Sequence, residues 1–434
     1  MSSSPPPTPP SRSPNDDECR FKVITSPCEW VEDYRPGGYH PVHLGDTFHG
    51  GQYKVIRKLG EGSFSTVWLA HDLIHKRYIA LKIQVSQVTT CSNELPILRH
   101  IARQLPEQAE MHVMKLLDEF QHNGPNGTHS CIVFEPMGPS VNTMVEELPQ
   151  FKPRKFGMKI RYPPPMAKSI LKQCLQALEF LHKHGISHGD LQPGNILFAL
   201  QNIDSMPEEV LRQEEDVQTR SISPPVERLD GKKDLWAPRY LCIAQPLVPF
   251  TNHDRDFKVK LSDMGGGLRP PELILNRSVD KTLDIWSFGC LVFELVTGQP
   301  LFCIPGAGSQ TEQDDDHLLA LTARLGVLPD NLYRLWKTSS LYFTPERELY
   351  NCQLGGVKEG EEPLMVDDFS MEQLFDQARP DVDENEARQI KMLIREILQY
   401  DPTKRPLPSE ILDNLWFKET ASNSSLDVVE PTCS

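Results

Sequence analysis

A lysine set among apolar residues, Ile79-Ala80-Leu81-Lys82-Ile83, is the first position in this chain whose chemistry stands out. Burying an ammonium is costly unless it has a partner or points into a site. Glu94, on the helical run that follows, can be that partner, and a lysine snorkelling at a strand edge is the evenly weighted alternative. Upstream, Leu59-Gly60-Glu61-Gly62-Ser63-Phe64-Ser65-Thr66-Val67 puts two glycines in a turn between strand-like runs. Missing Cβ atoms there let backbone N–H groups approach a polyphosphate, although a glycine-bearing hairpin turn also accounts for the string. Downstream come Ile186-Ser187-His188-Gly189-Asp190-Leu191-Gln192-Pro193-Gly194-Asn195 and, much later, Asp263-Met264-Gly265.

The elements that must position these residues follow from periodicity. Tyr53–Leu59, Thr66–His71 and Tyr78–Val85 have alternating or β-branched character and predict an antiparallel meander. A helix is expected from Ser92 to about Gln104, with Leu95, Leu98, Ile101 and Leu105 at three- and four-residue spacing, and Cys131–Phe134 reads as a buried strand. Beyond Gly138-Pro139 the pattern turns helical: Pro165–Gly185, Leu283–Val296, His317–Leu325 and Ala387–Leu398 each carry an apolar stripe. The fold class expected is α+β, a small antiparallel β lobe followed by a larger, mainly helical lobe.

At 434 residues the chain is too long for one ordinary core. Its 38 prolines gather in segments that resist packing: residues 1–29 read as a disordered Ser/Pro-rich tail and 421–434 as a loose one. The small lobe is expected over 53–137 and the larger over 138–420, interrupted by a polar, aperiodic stretch at 200–257 that reads as a surface insertion. The net charge of -15 repels nucleic acid and acidic membranes and fits a basic peptide partner, though solubility alone is the plainer explanation. Ten cysteines without metal-ligand spacing read as reduced core residues. With neither a membrane-length apolar run nor a signal-peptide pattern, an intracellular protein of cytoplasm or nucleus is expected.

The motifs taken in order resemble protein kinases. His188-x-Asp190-x-x-x-x-Asn195 matches the catalytic loop and Asp263-x-Gly265 the metal-binding turn. Pro270-Pro271-Glu272 resembles the end of the activation segment, Asp284-Ile285-Trp286-Ser287-Phe288-Gly289 the helix that anchors the catalytic loop, and Arg405 the arginine that pairs with that glutamate. Glu32-Asp33-Tyr34-Arg35-Pro36-Gly37-Gly38-Tyr39-His40-Pro41-Val42, Val55–Gly60 with Phe64–Leu69, and Asp314-Asp315-Asp316-His317 are similar to the SR-protein kinase family, serine/threonine kinases of Arg/Ser-rich proteins. Ser65 in place of a third glycine, and a spacer where 200–257 lies, are usual there.

The resemblance implies a bilobal kinase fold, ATP and Mg²⁺ as cofactors, and a monomer acting on basic, Arg/Ser-rich protein substrates rather than on nucleic acid or membranes. It implies that Lys82 holds the α- and β-phosphates and that Glu94 holds Lys82. Asp190 would take or orient the substrate hydroxyl proton, and Asn195 and Asp263 would ligate Mg²⁺. The run Leu59, Gly60, Glu61, Gly62, Ser63, Phe64, Ser65, Thr66 and Val67 would cover the nucleotide. Adenine would lie under Val67 and Ala80 and bond the backbone of Glu135 and Met137. Three departures stand out. Gly189 replaces the arginine that grips a phosphorylated activation loop, Gln192 replaces a lysine near the γ-phosphate, and only eight residues, Met264–Pro271, separate Asp263 from Glu272. The short segment leaves open a nucleotide-binding scaffold, lacking transfer activity, that recruits basic partners through Asp314–Asp316; that acidic run capping a helix is the competing explanation.

Overall fold

A computed structural model of the chain describes residues 19–88, 94–104, 113–252, 256–264, 270–276, 280–304, 308–366 and 368–418. They fall into two compact units, one within Met1–Pro149 and Gly194–Gly265, the other within Gln150–Pro193 and Gly266–Ser434.

The first unit is built on an antiparallel sheet of β1 (Thr47–Phe48), β2 (Tyr53–Gly62), β3 (Ser65–Asp72), β4 (Arg77–Gln84), β5 (Leu116–Gly124) and β6 (Gly127–Phe134), in the order β1-β2-β3-β4-β6-β5. Alternating or β-branched character predicts β2 to β4 to within a few residues, and the apolar run Cys131–Phe134 marks only the second half of β6. The strand β5 gave no sequence signal, because Leu-Leu-Asp-Glu-Phe-Gln-His-Asn-Gly lies half-exposed at the sheet edge without an apolar alternation. Helix α1 (Glu94–Gln104) follows β4, with Leu98 packed in a cluster with Ala80, Ile132 and Phe134 and Ile101 buried as well; the expected start at Ser92 lies outside the described residues. A two-stranded antiparallel ribbon, β7 (Ile196–Phe198) and β8 (Val259–Leu261), completes the frame.

Three expectations are corrected here. Residues 19–29 are not a tail: Arg20 and Phe21 are buried, with Arg20 Nε on Glu32 Oε2 at 2.9 Å, and Glu29 is buried as well; residues 1–18 lie outside the described ones. The insertion at 200–257 does not lie loose on the surface. Ile203, Leu211 and Leu247 pack with Ile56 and Leu69 of the sheet, while Ile222 and Cys242 join the cluster around Val55 and Trp68. Its buried Gln213 is satisfied: the side chain accepts from Lys58 N at 2.9 Å and donates to Ser221 O at 2.6 Å and Ile243 O at 2.9 Å. For the same reason residues 138–149 and 194–264 belong with the sheet rather than with the helical part. Bridges Ser140–Leu197 and Val113–Leu261 tie the ribbon to the first unit.

The second unit is helical, with long helices at Pro164–Lys183, Thr282–Thr297, Gln310–Leu325 and Glu384–Ile397. The acidic run does not cap its helix. Ser309 does, in a reciprocal box with Glu312, which leaves Asp314–Asp316 in the second turn. Asp315 is buried, accepting from Trp336 Nε1 at 2.6 Å, from the Thr338 hydroxyl, and from Tyr342 OH at 2.9 Å. Among the described residues no cysteine is in a disulfide; Cys131, Cys174, Cys242 and Cys290 are buried and Cys303 is exposed. No described helix is long and apolar enough to cross a membrane. The tail expected at 421–434 and the glycine run after Met264 lie outside the described residues.

Candidate active site

Lys82 lies near the C-terminal end of β4 and is 7% exposed. Its ammonium meets Glu94 Oε1 at 2.8 Å and Oε2 at 2.9 Å, and also pairs with Asp263. Glu94 opens α1, so one end of that helix and one end of β8 converge on the same cation. The snorkelling alternative is excluded. Burial works against the Lys82 charge, but the two carboxylates outweigh it and hold its pKa above the ordinary lysine value. Burial pushes the Glu94 carboxyl up; Lys82 opposes this and the nearby Asp263 charge adds to it. One cation therefore faces two acids, leaving an excess negative charge.

The ribbon delivers the next pair. Because β7 and β8 run antiparallel with Ile196 opposite Leu261, the residue before one strand and those after the other must lie side by side. Ser262 N accordingly donates to Asn195 O at 2.8 Å, and its hydroxyl does so at 3.0 Å. Asp263 follows at φ +55°, a left-handed conformation that Asp tolerates better than most residues. Oxygen-bearing Asn195 and Asp263 are of the type a hard divalent cation prefers.

A cavity of about 300 Å³ is lined by Leu59, Gly60, Gly62, Val67, Ala80 and Asp263, with Glu61, Ser65 and Met137 at its wall. Of the run predicted to cover a ligand, Ser63, Phe64 and Thr66 do not line it. The first two form the turn between β2 and β3, and Thr66 is buried on the other side of its strand, receiving Trp68 Nε1 at 2.9 Å. A Cβ built on Gly60, Gly62 or Gly194 would meet no atom within 4 Å. Internal packing therefore does not require these glycines, and the room they leave fits a polyphosphate. Glu135 follows β6; its N–H donates to Lys115 O at 3.3 Å, and its carboxylate takes Lys260 Nζ at 2.6 Å. Sequence reasoning missed Met114 and Pro246, which also line the cavity; Pro246 belongs to the stretch expected to be surface.

Asp190 lies in the second unit, on a loop held by one buried carboxylate. Asp284 Oδ2 accepts from His188 N at 2.8 Å and meets His182 Nε2 at 2.8 Å, while Oδ1 accepts from Gly189 N at 2.8 Å. Asp284 sits in the first turn of the helix Thr282–Thr297, where the helix dipole favours an anion. Gly189 adopts φ +81°, a conformation that strains an arginine, so the glycine there has a backbone reason. Asp190 N donates to His188 Nδ1 at 3.2 Å, and Gln192 Nε2 donates to Asp190 Oδ1 at 3.0 Å. Arg405 grips Glu272 through Nη1–Oε1 at 2.6 Å and Nη2–Oε2 at 2.8 Å, the predicted pair.

Comparison with known proteins agrees with these motifs. The protein kinase domain family matches residues 53–205 and 260–417. A "Serine/threonine-protein kinase SRPK" of Physarum polycephalum is 31% identical over 432 residues, covering 92% of this chain and 93% of its own. "Protein kinase dsk1" of Schizosaccharomyces pombe is 28% identical over 488 residues, covering 91% of this chain and 85% of its own. A crystal structure of a kinase domain superposes with a TM-score of 0.56 at 22% identity, over 87% of this chain and 98% of that one, which bears on fold alone. The chain belongs to the protein kinase family and, with relatives of the SR-protein kinase type along most of its length, is a serine/threonine protein kinase that uses ATP and a divalent metal.

Proposed function

We propose that this kinase transfers the γ-phosphate of Mg-ATP to serine or threonine hydroxyls of basic, Arg/Ser-rich proteins. The observation that carries the reading is the Lys82–Glu94–Asp263 cluster, whose Asp263 also lines the glycine-walled cavity. Phosphoryl transfer asks a protein mainly for positioning and charge neutralisation, and the bound metal nucleotide supplies the transferable group. Lys82 holds the α- and β-phosphates, with Glu94 fixing the ammonium. Asn195 and Asp263 hold Mg²⁺, which answers the excess negative charge. Val67, Ala80 and the Met137 backbone would hold the adenine, and at Glu135 only the carbonyl would be available to it, since the Glu135 N–H is already engaged by Lys115.

Asp190 orients the acceptor hydroxyl and takes its proton, a contribution of about 10² to 10⁴ in rate. Gln192 supports that carboxylate as a neutral donor, with one positive charge fewer near the γ-phosphate, so a slow chemical step is the consequence. Gly189 offers no grip for a phosphorylated activation loop, which favours activity without that switch. The net charge of -15 and the SR-protein kinase relatives favour cationic substrates.

The test is transfer of labelled phosphate from ATP to an Arg/Ser-rich peptide. Wild type is expected to exceed Asp190→Ala by at least about 10²-fold; equal rates would remove the enzyme assignment for Asp190, and stabilisation by Mg-ATP without transfer would favour a nucleotide-binding scaffold.

A further inference from the structure

The glycine-bearing turn is held from outside the cavity by side chains to which the nucleotide reading gives no task. Tyr39, 4% exposed, donates its hydroxyl to Gly62 O at 2.7 Å. In a planar trans peptide the C=O and the following N–H point opposite ways. Fixing the Gly62 carbonyl on Tyr39 therefore turns the Ser63 N–H to the other side of that peptide, and Gly62 itself lines the cavity.

Tyr39 can act as a fixed post because its own backbone is braced. Its N–H donates to Asp33 O at 3.2 Å, and its carbonyl accepts from Asn126 Nδ2 at 2.5 Å, in the turn between β5 and β6. Gly37 N donates to Asn126 O at 2.8 Å, and Ser86 N to Gly38 O at 3.2 Å, which fastens the segment to the end of β4 as well. At Gly38 a Cβ would sit 1.9 Å from Asp33 O, so the tight turn that aims Tyr39 admits only glycine.

A second tether ends one residue away. Glu61 meets Lys58 Nζ at 3.0 Å, and Lys58, fully buried, also pairs with Glu29 and donates to Cys242 O at 3.0 Å. Burial alone would lower the Lys58 pKa, but Glu29 and Glu61 outweigh it, so the anchor keeps its charge. The N-terminal segment and the stretch 200–257 thus both meet on Lys58, which its pair with Glu61 links to the turn.

We infer that Tyr39 is a positioning residue for the nucleotide phosphates, presetting the glycine-bearing turn through the Gly62 carbonyl, with Lys58–Glu61 as its second anchor. The inference rests on the reading of the cavity as the ATP site.

Tyr39→Phe keeps the ring and removes only the hydroxyl. Two changes are expected. Amide exchange in the peptide spanning residues 60–65 of the unliganded protein should quicken by roughly threefold or more, and KM for ATP should rise roughly 3- to 10-fold, the net effect of one hydrogen bond. KM for the peptide substrate should stay unchanged. Tyr53→Phe, which loses a comparable bond to Asp118 Oδ2 at 2.7 Å in the same sheet, should alter neither quantity. If wild type is stabilised by Mg-ATP yet Tyr39→Phe matches it in exchange and in KM, the inference falls and the ATP reading stands. Equal effects from both variants would reduce Tyr39 to a structural role and also overturn it. A wild type that Mg-ATP does not stabilise would remove the ATP reading itself, and the inference with it.

Discussion

Two buried ion pairs, one in each unit, use the same chemistry to opposite ends. Arg405 in the second unit is closed: its fork is matched to Glu272, Nε donates to Gln399 O at 2.9 Å, and the guanidinium lies 4.9 Å from the Trp286 ring. Cation and anion balance there, and the remaining donors have carbonyl or ring partners. Lys82 in the first unit is open. Two carboxylates compete for one ammonium, and Asp263 borders a cavity with room for more. The pair that holds the fold ends in neutrality, whereas the cluster proposed to bind Mg-ATP keeps a charge that such a ligand would answer.

The largest expected effect breaks the closed pair. Arg405→Leu strands Glu272 in a site where it is 6% exposed, and the loss should be about 3–5 kcal/mol in urea unfolding. A cost below about 1 kcal/mol would mean that the closed pair does little for the fold, and the contrast would fail.

Next comes the stretch 200–257. Leu247→Ala removes a side chain that is 0% exposed against Ile56, Leu69 and Leu211, and should cost about 2–5 kcal/mol. A surface insertion would lose less than about 0.5 kcal/mol on the same change.

A smaller effect separates the units by pH. In the first unit, burial, then His122 and His129, push the His40 pKa from 6.5 down to about 3, with ring centroids 4.5 and 5.0 Å away. The folded value lies below the unfolded one, so this stabilisation is complete above pH 6.5 and is lost as pH falls toward 3. In the second unit, the hydrogen bond from Arg395 holds the Glu372 pKa down to about 2 against burial, so its contribution persists above pH 4.5 and is lost only as pH falls toward 2. Lowering pH from 6.5 to 5 should therefore speed amide exchange, corrected for intrinsic rates, around His40 and His129 but not around Glu372 and Arg395. Equal loosening of both regions would contradict this.

What the sequence disclosed depended on range. Lys82 and Glu94 were legible because a buried cation demands an anion, and the helix bearing Glu94 follows its strand directly. Asn195 and Asp263 were legible as motif residues, but the reason they adjoin is the β7–β8 register, which no local pattern encodes. The packing of 200–257 was hidden because its apolar residues come singly and its buried polar groups, such as Gln213, look like surface until their backbone partners are known. The helix start was written plainly, by contrast. Ser309 and Glu312 form the usual capping signature, a stronger signal than the acidic run beyond it. The hold of Tyr39 on Gly62 joins a side chain to a carbonyl with no residue identity to betray it.

The contrast between open and closed pairs is tested most directly by the thermal midpoint of Asp263→Asn with and without Mg-ATP. Without ligand the variant should unfold no earlier than wild type, because Lys82 retains Glu94 and one competing charge is gone. With saturating Mg-ATP, wild type should gain several degrees and the variant little or nothing. A variant that unfolds early without ligand, or that Mg-ATP stabilises as fully as wild type, would contradict the account.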